Sequence, residues 1–278
     1  MLKSLLAIDE DGPLADERNP PHRPAAELCA EYDARAGLYR LLAGVFVEEV
    51  GAAFVRALRR PEVLASLAAA GVRFDADFLD AEEGALLERL ACEYTTLFAA
   101  SGGFPPVESV RLTGRYKQDP HFQVAQAYAK WGFVVRKGRF EVFPDQLGVE
   151  LMFVAELLER CSRALGAGDE AACRRAEREV KRFWAQHLGR WVRGYARLVE
   201  RMAEHSFYRG MAAFMRGFAD EEIAAMALRI DDEDHARAVV PKREIRVEFN
   251  PDEPACNGCA SAPVPQRAGN VHTLHDLR

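Results

Sequence analysis

The sequence contains no run of about 18 uncharged apolar residues, the length that a helix needs to cross a bilayer. We therefore expect no membrane span. Residues 1–24 hold a single lysine and a short apolar stretch that acidic residues soon interrupt. A secretory signal has a different pattern, so the sequence predicts a cytoplasmic protein with a disordered segment at residues 1–24.

A basic excess is also missing. The formal net charge is −6. From Asp220 onward there are 12 acidic and 7 basic residues, a net charge of −5, which leaves −1 for the residues before it. Proteins dedicated to nucleic acids carry a strong positive charge, so we expect no nucleic-acid partner.

The common catalytic signatures are absent as well. The chain has no GxxxxGK[ST], G-x-G-x-x-G, G-x-S-x-G or HExxH segment. His187 and His205 lie in or beside predicted helices among aromatic residues, which favours core or helix-end roles. The sequence thus predicts no enzyme, and a helical enzyme with an unfamiliar site remains the alternative.

Six cysteines in 278 residues are too few and too scattered for a disulfide framework. Cys256 and Cys259 form a CxxC pair, and His272 and His275 follow it. Four such ligands can close a tetrahedral zinc site, and iron is the other candidate. The tight spacing of the histidines favours the other interpretation, a redox-exposed pair or an unused part of the tail.

Helical periodicity dominates the chain, and no convincing strand pattern interrupts its centre. We predict an all-α fold, a single helical bundle of seven or eight helices over residues 25–222, followed by a flexible acidic tail at 223–278. Residues 100–120 contain several helix breakers and are expected to form a long loop. The central seam consists of Leu147, Leu151, Val154, Leu158, Cys161 and Leu165.

The segment FPDQLGVELMFVAELLERC, residues 143–161, places Asp145, Gln146 and Glu150 in the first turns of an apolar helix. Helix capping is one explanation, because an acidic side chain at a helix N-terminus is electrostatically favourable. A ligand-binding lip is the other. Capping alone does not require Glu150 or the proline-rich loop before it, which favours the lip.

Three segments, taken in order, resemble the characteristic blocks of the TorD/DmsD family of redox-enzyme maturation chaperones. They are LERLACEYTTLFAASGGFPPVESV, FPDQLGVELMFVAELL and FWAQHLGRWVRGYARLVERMAEHSFYRGMAAFMRGF. The similarity extends over about residues 25–219. It implies an all-helical, non-enzymatic protein that forms monomers or homodimers.

The resemblance also implies a client, the catalytic subunit of a molybdopterin oxidoreductase of anaerobic respiration, bound through its twin-arginine signal peptide. Such chaperones hold the client until its molybdenum cofactor is inserted and delay its export. They require no cofactor of their own, although guanine nucleotide binding has been proposed for some members.

The proline-acid-histidine lip of the family falls on Pro144, Asp145 and Gln146, so glutamine replaces histidine here. The proline-aromatic-x-serine loop ends at Ser109, with Val107 in place of the aromatic residue. The residues that we expect to bind the client are Glu93, Tyr94, Phe98, Pro105, Pro106, Glu108, Ser109, Pro144, Asp145, Gln146 and Glu150. The rings and side chains expected to line an apolar groove are Phe98, Phe104, Phe143 and Leu147.

A signal peptide offers an arginine pair followed by an apolar segment, so its receptor needs carboxylates beside a hydrophobic groove. On this basis Asp145→Ala is expected to weaken client binding and to change the melting temperature little. Truncation after Glu222 is expected to leave the bundle folded. The alternative function is a metal- or redox-responsive regulator that works through the CxxC tail.

Overall fold

The computed structural model describes residues 23–99, 102–135 and 142–234. Within these ranges the protein is all-α, as predicted, and contains eleven α-helices and no strand. The helices are α1 (Ala25–Phe46), α2 (Ala52–Leu58), α3 (Pro61–Ala69), α4 (Ala76–Leu79), α5 (Glu83–Tyr94), α6 (Glu108–Thr113), α7 (Asp119–Lys130), α8 (Leu147–Gly166), α9 (Glu170–Gln186), α10 (Val192–Met202) and α11 (Ser206–Ala225). The number exceeds seven or eight because several helices are too short to show periodicity. No described helix is long and apolar enough to span a membrane.

Helix α8 is the centre of the bundle. It packs along α1 on one side and against α9 on the other, while α10 packs against α11. Leu147, Leu151 and Val154 are fully buried, which confirms the apolar seam read from the sequence. At Gly148 an added Cβ would lie 2.6 Å from Val47 Cβ, so the absence of a side chain lets the start of α8 approach the end of α1.

The segment from residue 100 to residue 120 is not a continuous loop. Helix α6 lies inside it, and α7 begins at Asp119. The prediction failed because the Ser109 amide in the first turn of α6 binds the carboxylate of Asp145, a residue from a distant part of the chain that a local pattern does not contain. The apolar positions Leu79, Leu86, Leu90, Tyr94 and Leu97 predict one amphipathic helix over residues 76–99. The structure divides it into α4, α5 and a single π-helical turn at Thr95–Ala99.

Gly189 interrupts the apolar rhythm from Trp184 to Met202, which predicts a break or bend there, and the structure confirms it. A 3₁₀ turn at Leu188–Arg190 separates α9 from α10. The residue type of Ser206 predicts it as the N-cap of the last helix. The N-cap of α11 is instead His205, whose Nδ1 accepts from the Phe207 amide at 3.1 Å. The Ser206 hydroxyl instead donates to Asp77.

A polar network ties α1 to α9 and α11 through the core. The Glu222 carboxylate accepts from Arg35 at 2.7 Å and from the Tyr39 hydroxyl at 2.7 Å. The Trp184 indole donates to the same hydroxyl at 2.6 Å. Because Glu222 is only 6% exposed, its charge is compensated by these partners and not by solvent.

The packed chain extends past residue 222, where the predicted domain ends. Ile223 is buried in the core. Arg111 donates to both carboxylate oxygens of Asp234, at 2.8 and 3.1 Å, and Arg193 donates to the Ile230 carbonyl at 2.8 Å. Residues 223–234 are therefore part of the bundle. The predicted metal ligands Cys256, Cys259, His272 and His275 lie outside the described residues, as do residues 1–22.

Candidate functional site

Two loops that the sequence singled out lie side by side. Residues 104–107 precede α6, residues 143–146 precede α8, and we call them the paired loops. An isolated antiparallel bridge joins Val107 to Gln146. The Glu108 amide donates to the Asp145 carbonyl at 2.8 Å, and the Leu147 amide donates to the Pro106 carbonyl at 2.8 Å. Residues distant in sequence thus start two helices at one place.

Asp145 caps a helix other than the one it precedes. Its Oδ2 accepts from the Ser109 amide in the first turn of α6 at 3.0 Å. Its Oδ1 lies 3.0 Å from His121 Nδ1 at the start of α7. The side chain has no exposed surface. Asp145 therefore holds the paired loops together with α6 and α7, and it does not present its charge to solvent.

Glu108 is also fully buried and faces His187 at the end of α9. Nδ1 of His187 lies 3.0 Å from Oε2 and 3.3 Å from Oε1 of this carboxylate. Only 3% of His187 is exposed. The prediction that His187 is a helix-end residue is confirmed, and its contact with Glu108 adds a link between α6 and α9 that no sequence signal indicated.

Glu150 lies in the same interior region, but it lacks the hydrogen-bond partners that Glu108 and Asp145 have there. Neither carboxylate oxygen has a hydrogen-bond partner among the described residues. Burial raises the pKa of Glu150 well above its ordinary value, and the nearby Glu108 and Asp145 carboxylates raise it further. The Glu150 carboxyl consequently keeps its proton under conditions in which an exposed glutamate is ionised. We call Glu108, Asp145 and Glu150 the interior cluster.

Gln146 and Tyr94 both bind the last carbonyl of α1. The Gln146 amide group donates to Phe46 O, and the Tyr94 hydroxyl donates to the same oxygen at 3.2 Å. Gln146 is also the N-cap of α8, since its Oε1 accepts from the Val149 amide at 3.2 Å. Capping thus accounts for Gln146. Phe98, whose ring lies 5.0 Å from that of Tyr94, is a buried core residue.

Glu93 differs from the interior cluster because it is only partly buried. Its Oε1 accepts from the backbone amides of Glu204 and His205 at 2.7 and 3.0 Å, where the chain enters α11. Glu88, Glu93 and Glu204 line a pocket of about 760 Å³, with Arg89 as its single arginine and Leu97 and Met202 as its apolar part.

Two further acids, Glu48 and Glu49, lie close enough to Tyr94, the residue after Glu93, to act on it electrostatically. Burial raises the pKa of Tyr94 to about 12, and the Glu48 and Glu49 carboxylates contribute to the rise. Both glutamates are exposed and follow directly after the end of α1. We call Glu48, Glu49, Glu88, Glu93 and Glu204 the acidic surface. It is the part of the described chain where predicted site residues and solvent-facing carboxylates coincide.

An apolar groove begins at the same end of α1. Its volume is about 390 Å³, and its apolar lining residues are Val47, Phe133, Val134, Val135, Val142, Val149, Met152 and Phe153. Val134 is 84% exposed and Met152 is 44% exposed. Arg40 and Glu156 lie at its rim, 3.4 Å apart. Val47 lines the groove and Glu48 belongs to the acidic surface, so consecutive residues connect the two features.

The structure thus separates the predicted site residues into two groups. The first group supports the paired loops, and its carboxylates Glu108, Asp145 and Glu150 have no exposed surface, whereas Pro105 and Pro144 are partly exposed. The second group, around Glu93 and Tyr94, borders the acidic surface. Of the predicted groove residues, Leu147 and Phe98 are buried, whereas Phe104 and Phe143 are partly exposed. No cluster of potential metal ligands occurs in the described ranges.

The sequence matches a known protein family over about half of its length. The family described as the nitrate reductase delta subunit matches residues 60–197. This range contains the paired loops, the interior cluster and Glu93. No curated protein matches the chain.

Proposed function

Because residues 60–197 belong to the nitrate reductase delta subunit family, we propose that this protein is a cytoplasmic maturation chaperone for the catalytic subunit of a molybdopterin oxidoreductase. The match agrees with the resemblance to the TorD/DmsD family, and the all-α fold is the one that this resemblance implies. The family match is the observation that carries the proposal. The client is held until its cofactor is inserted, and the chaperone itself performs no catalysis.

We further propose that the acidic surface binds the arginine pair of a twin-arginine signal peptide. Guanidinium groups form strong hydrogen bonds with carboxylates, and the five glutamates of this surface include four that are solvent-exposed. The interior carboxylates are unsuited to direct contact, because a peptide would have to open the paired loops to reach them. Their role is to hold the loops and the end of α1 in place.

The apolar groove is the matching site for the hydrophobic segment that follows the arginine pair. The groove and the acidic surface meet at residues 47 and 48, so one extended peptide passing the end of α1 contacts both. Extended or helical peptides bind in this way when apolar side chains enter a groove and charged side chains bind at its rim. Because the arginine pair precedes the apolar segment, the peptide would run from the acidic surface towards the groove.

A pull-down of the tagged protein from anaerobically grown native cells tests the function. Mass spectrometry is expected to identify a large molybdoenzyme subunit that retains its twin-arginine leader. The bait Glu88→Gln/Glu204→Gln is expected to recover less of it. Absence of any molybdoenzyme subunit from the native eluate would contradict the chaperone function.

A peptide titration tests the location. Fluorescence anisotropy would measure binding of a labelled peptide in which two arginines precede an apolar segment. Each rim charge contributes about 0.2 to 1 kcal/mol, so Glu88→Gln/Glu204→Gln should weaken binding by about two- to thirtyfold. The matched control is Glu62→Gln, an exposed glutamate of α3 outside this surface. Equal weakening in the control, or no preference for arginine over alanine, would refute this site.

The alternative, a metal- or redox-responsive regulator, depends on Cys256, Cys259, His272 and His275. The family match gives it no support, and the residues lie outside the described ranges. Stoichiometric zinc or iron that is lost in Cys256→Ala would favour it.

A further inference from the structure

The buried ring of His205 carries a hydrogen-bond donor that has no partner within the described part of the chain. Its Nδ1 accepts from the Phe207 amide at 3.1 Å, so the proton of the neutral ring belongs to Nε2. The Asp77 carboxylate lies 3.5 Å from Nδ1, at the outer limit of a hydrogen bond, and does not change this assignment. Burial lowers the pKa of His205 and outweighs the opposing effects of Asp77 and Glu93, so the ring is neutral near pH 7.

The unused Nε2–H group is not explained by the structural role of His205. A buried N–H group without a partner is costly, because it has lost its hydrogen bonds to water and gained none in the fold. Serine, threonine, asparagine or aspartate would cap α11 without burying a second polar group. Capping therefore accounts for Nδ1 and leaves Nε2 as a donor for a partner outside the bundle.

His205 lines the pocket of the acidic surface, together with Glu88, Glu93 and Glu204. Only 3% of the residue is exposed, so a ligand reaches Nε2 after side chains of the pocket lining move apart. Met202 belongs to the same lining and is 48% exposed. Its unbranched thioether side chain changes rotamer easily, which makes such an opening inexpensive. The unused donor is thus part of the pocket where we place the peptide.

The charges of this pocket determine which acceptor fits the donor. Three carboxylates and a single arginine, Arg89, line it, so an anionic acceptor is repelled. A guanidinium group bound by the carboxylates has only donors and cannot accept from Nε2. The acceptor is therefore a neutral group of the same ligand. Every residue of a peptide provides one, its main-chain carbonyl.

We propose that the His205 Nε2–H group donates to a main-chain carbonyl of the bound signal peptide, beside an arginine whose side chain pairs with the acidic surface. This inference rests on the proposed function, because it adds a contact to the same site. Carboxylates attract the charge of any guanidinium compound, whereas a donor to the main chain selects an arginine that is part of a peptide. His205 is thus a specificity residue of the site.

The variant His205→Asn tests the contact, because asparagine keeps an acceptor for the N-cap of α11 and has no atom at the position of Nε2. The probe is a labelled peptide whose only polar side chains are two arginines ahead of an apolar segment, so that its acceptors are amide carbonyls. Fluorescence anisotropy is expected to show about two- to tenfold weaker binding, the effect of losing one neutral hydrogen bond. The urea midpoint of unfolding should change little.

Thr96→Val is the matched control. Thr96 lines the same pocket, but its hydroxyl already donates to the Cys92 carbonyl at 3.0 Å. Its removal should change the affinity by about twofold at most.

Nitrogen NMR of the histidine rings follows the donor in the unaltered protein, where the peptide is expected to shift the Nε2–H resonance of His205. Unchanged affinity in His205→Asn, or equal weakening in Thr96→Val, overturns the contact. If Glu88→Gln/Glu204→Gln still weakens binding in those cases, the peptide site stands without His205. If His205→Asn lowers the unfolding midpoint, an unshifted Nε2–H resonance refutes the contact. A peptide that does not bind the unaltered protein overturns the site and the contact together.

Discussion

The Asp145 carboxylate, which precedes α8 in the sequence, caps α6 through the Ser109 amide at 3.0 Å. The second oxygen lies 3.0 Å from His121 Nδ1, so one buried side chain connects the starts of three helices. The substitution that the sequence suggested as a pure binding probe therefore removes a structural contact. The burial of Asp145 argues against the expectation that its loss changes the melting temperature little.

Asp145→Ala should lower the free energy of unfolding by about 2 to 4 kcal/mol, because a buried carboxylate with two partners is lost. Urea unfolding monitored by circular dichroism measures this. The matched control is Asp119→Ala, an exposed acid in the first turn of α7, which should cost about 0.3 to 1 kcal/mol. Equal effects of the two substitutions would show that the interior contacts of Asp145 contribute nothing.

Glu150→Gln should make the protein more stable at neutral pH. The pKa of Glu150 is raised in the folded state, so the folded chain keeps a proton that the unfolded chain releases. The free energy of unfolding therefore falls as the pH rises above about 4.5, the ordinary glutamate value, towards the folded-state pKa. Glutamine is neutral at every pH in this range, so Glu150→Gln removes the pH-dependent loss of stability. Denaturant midpoints of both proteins, measured from pH 4 to 9, test this prediction. If the midpoints of the two proteins change with pH in the same way, the raised pKa of Glu150 is refuted.

Gly148→Ala should destabilise the bundle by about 1 to 3 kcal/mol, because the new methyl group collides with Val47 and separates α8 from α1. Gly217 is the control. It lies on the exposed side of α11, where a Cβ would meet no described atom within 4 Å. Gly217→Ala should raise stability by about 0.5 to 1 kcal/mol through helix propensity. Thermal unfolding of both variants decides whether the close approach is real.

Truncation after Asp234 should keep a single cooperative thermal transition. Truncation after Glu222, the boundary taken from the sequence, should lower the melting temperature because Ile223 and the partners of Arg111 and Arg193 are removed. Differential scanning calorimetry of both fragments measures the difference. Identical transitions would show that residues 223–234 do not contribute to the bundle.

The sequence predicted the long helices because their apolar stripes repeat over several turns. The apolar seam of α8 illustrates this. The sequence did not predict α6, because this helix is too short to show periodicity. Its Ser109 amide is capped by Asp145, which belongs to another loop. For the candidate site, the sequence identified the types of residue but did not reveal which of them are exposed to solvent. Asp145 and Glu93 are both acids in characteristic segments, yet one is interior and the other borders solvent.

The sequence by itself determined the all-α class, the helix that forms the centre of the bundle and the family, because these depend on periodic burial and on the order of characteristic segments. Only the tertiary structure decided which carboxylates face solvent. Burial depends on contacts between residues far apart in the chain, such as Glu108 with His187 and Gln146 with the Phe46 carbonyl. Those contacts place Glu108, Asp145 and Glu150 inside the bundle and leave Glu48, Glu88 and Glu204 on its surface.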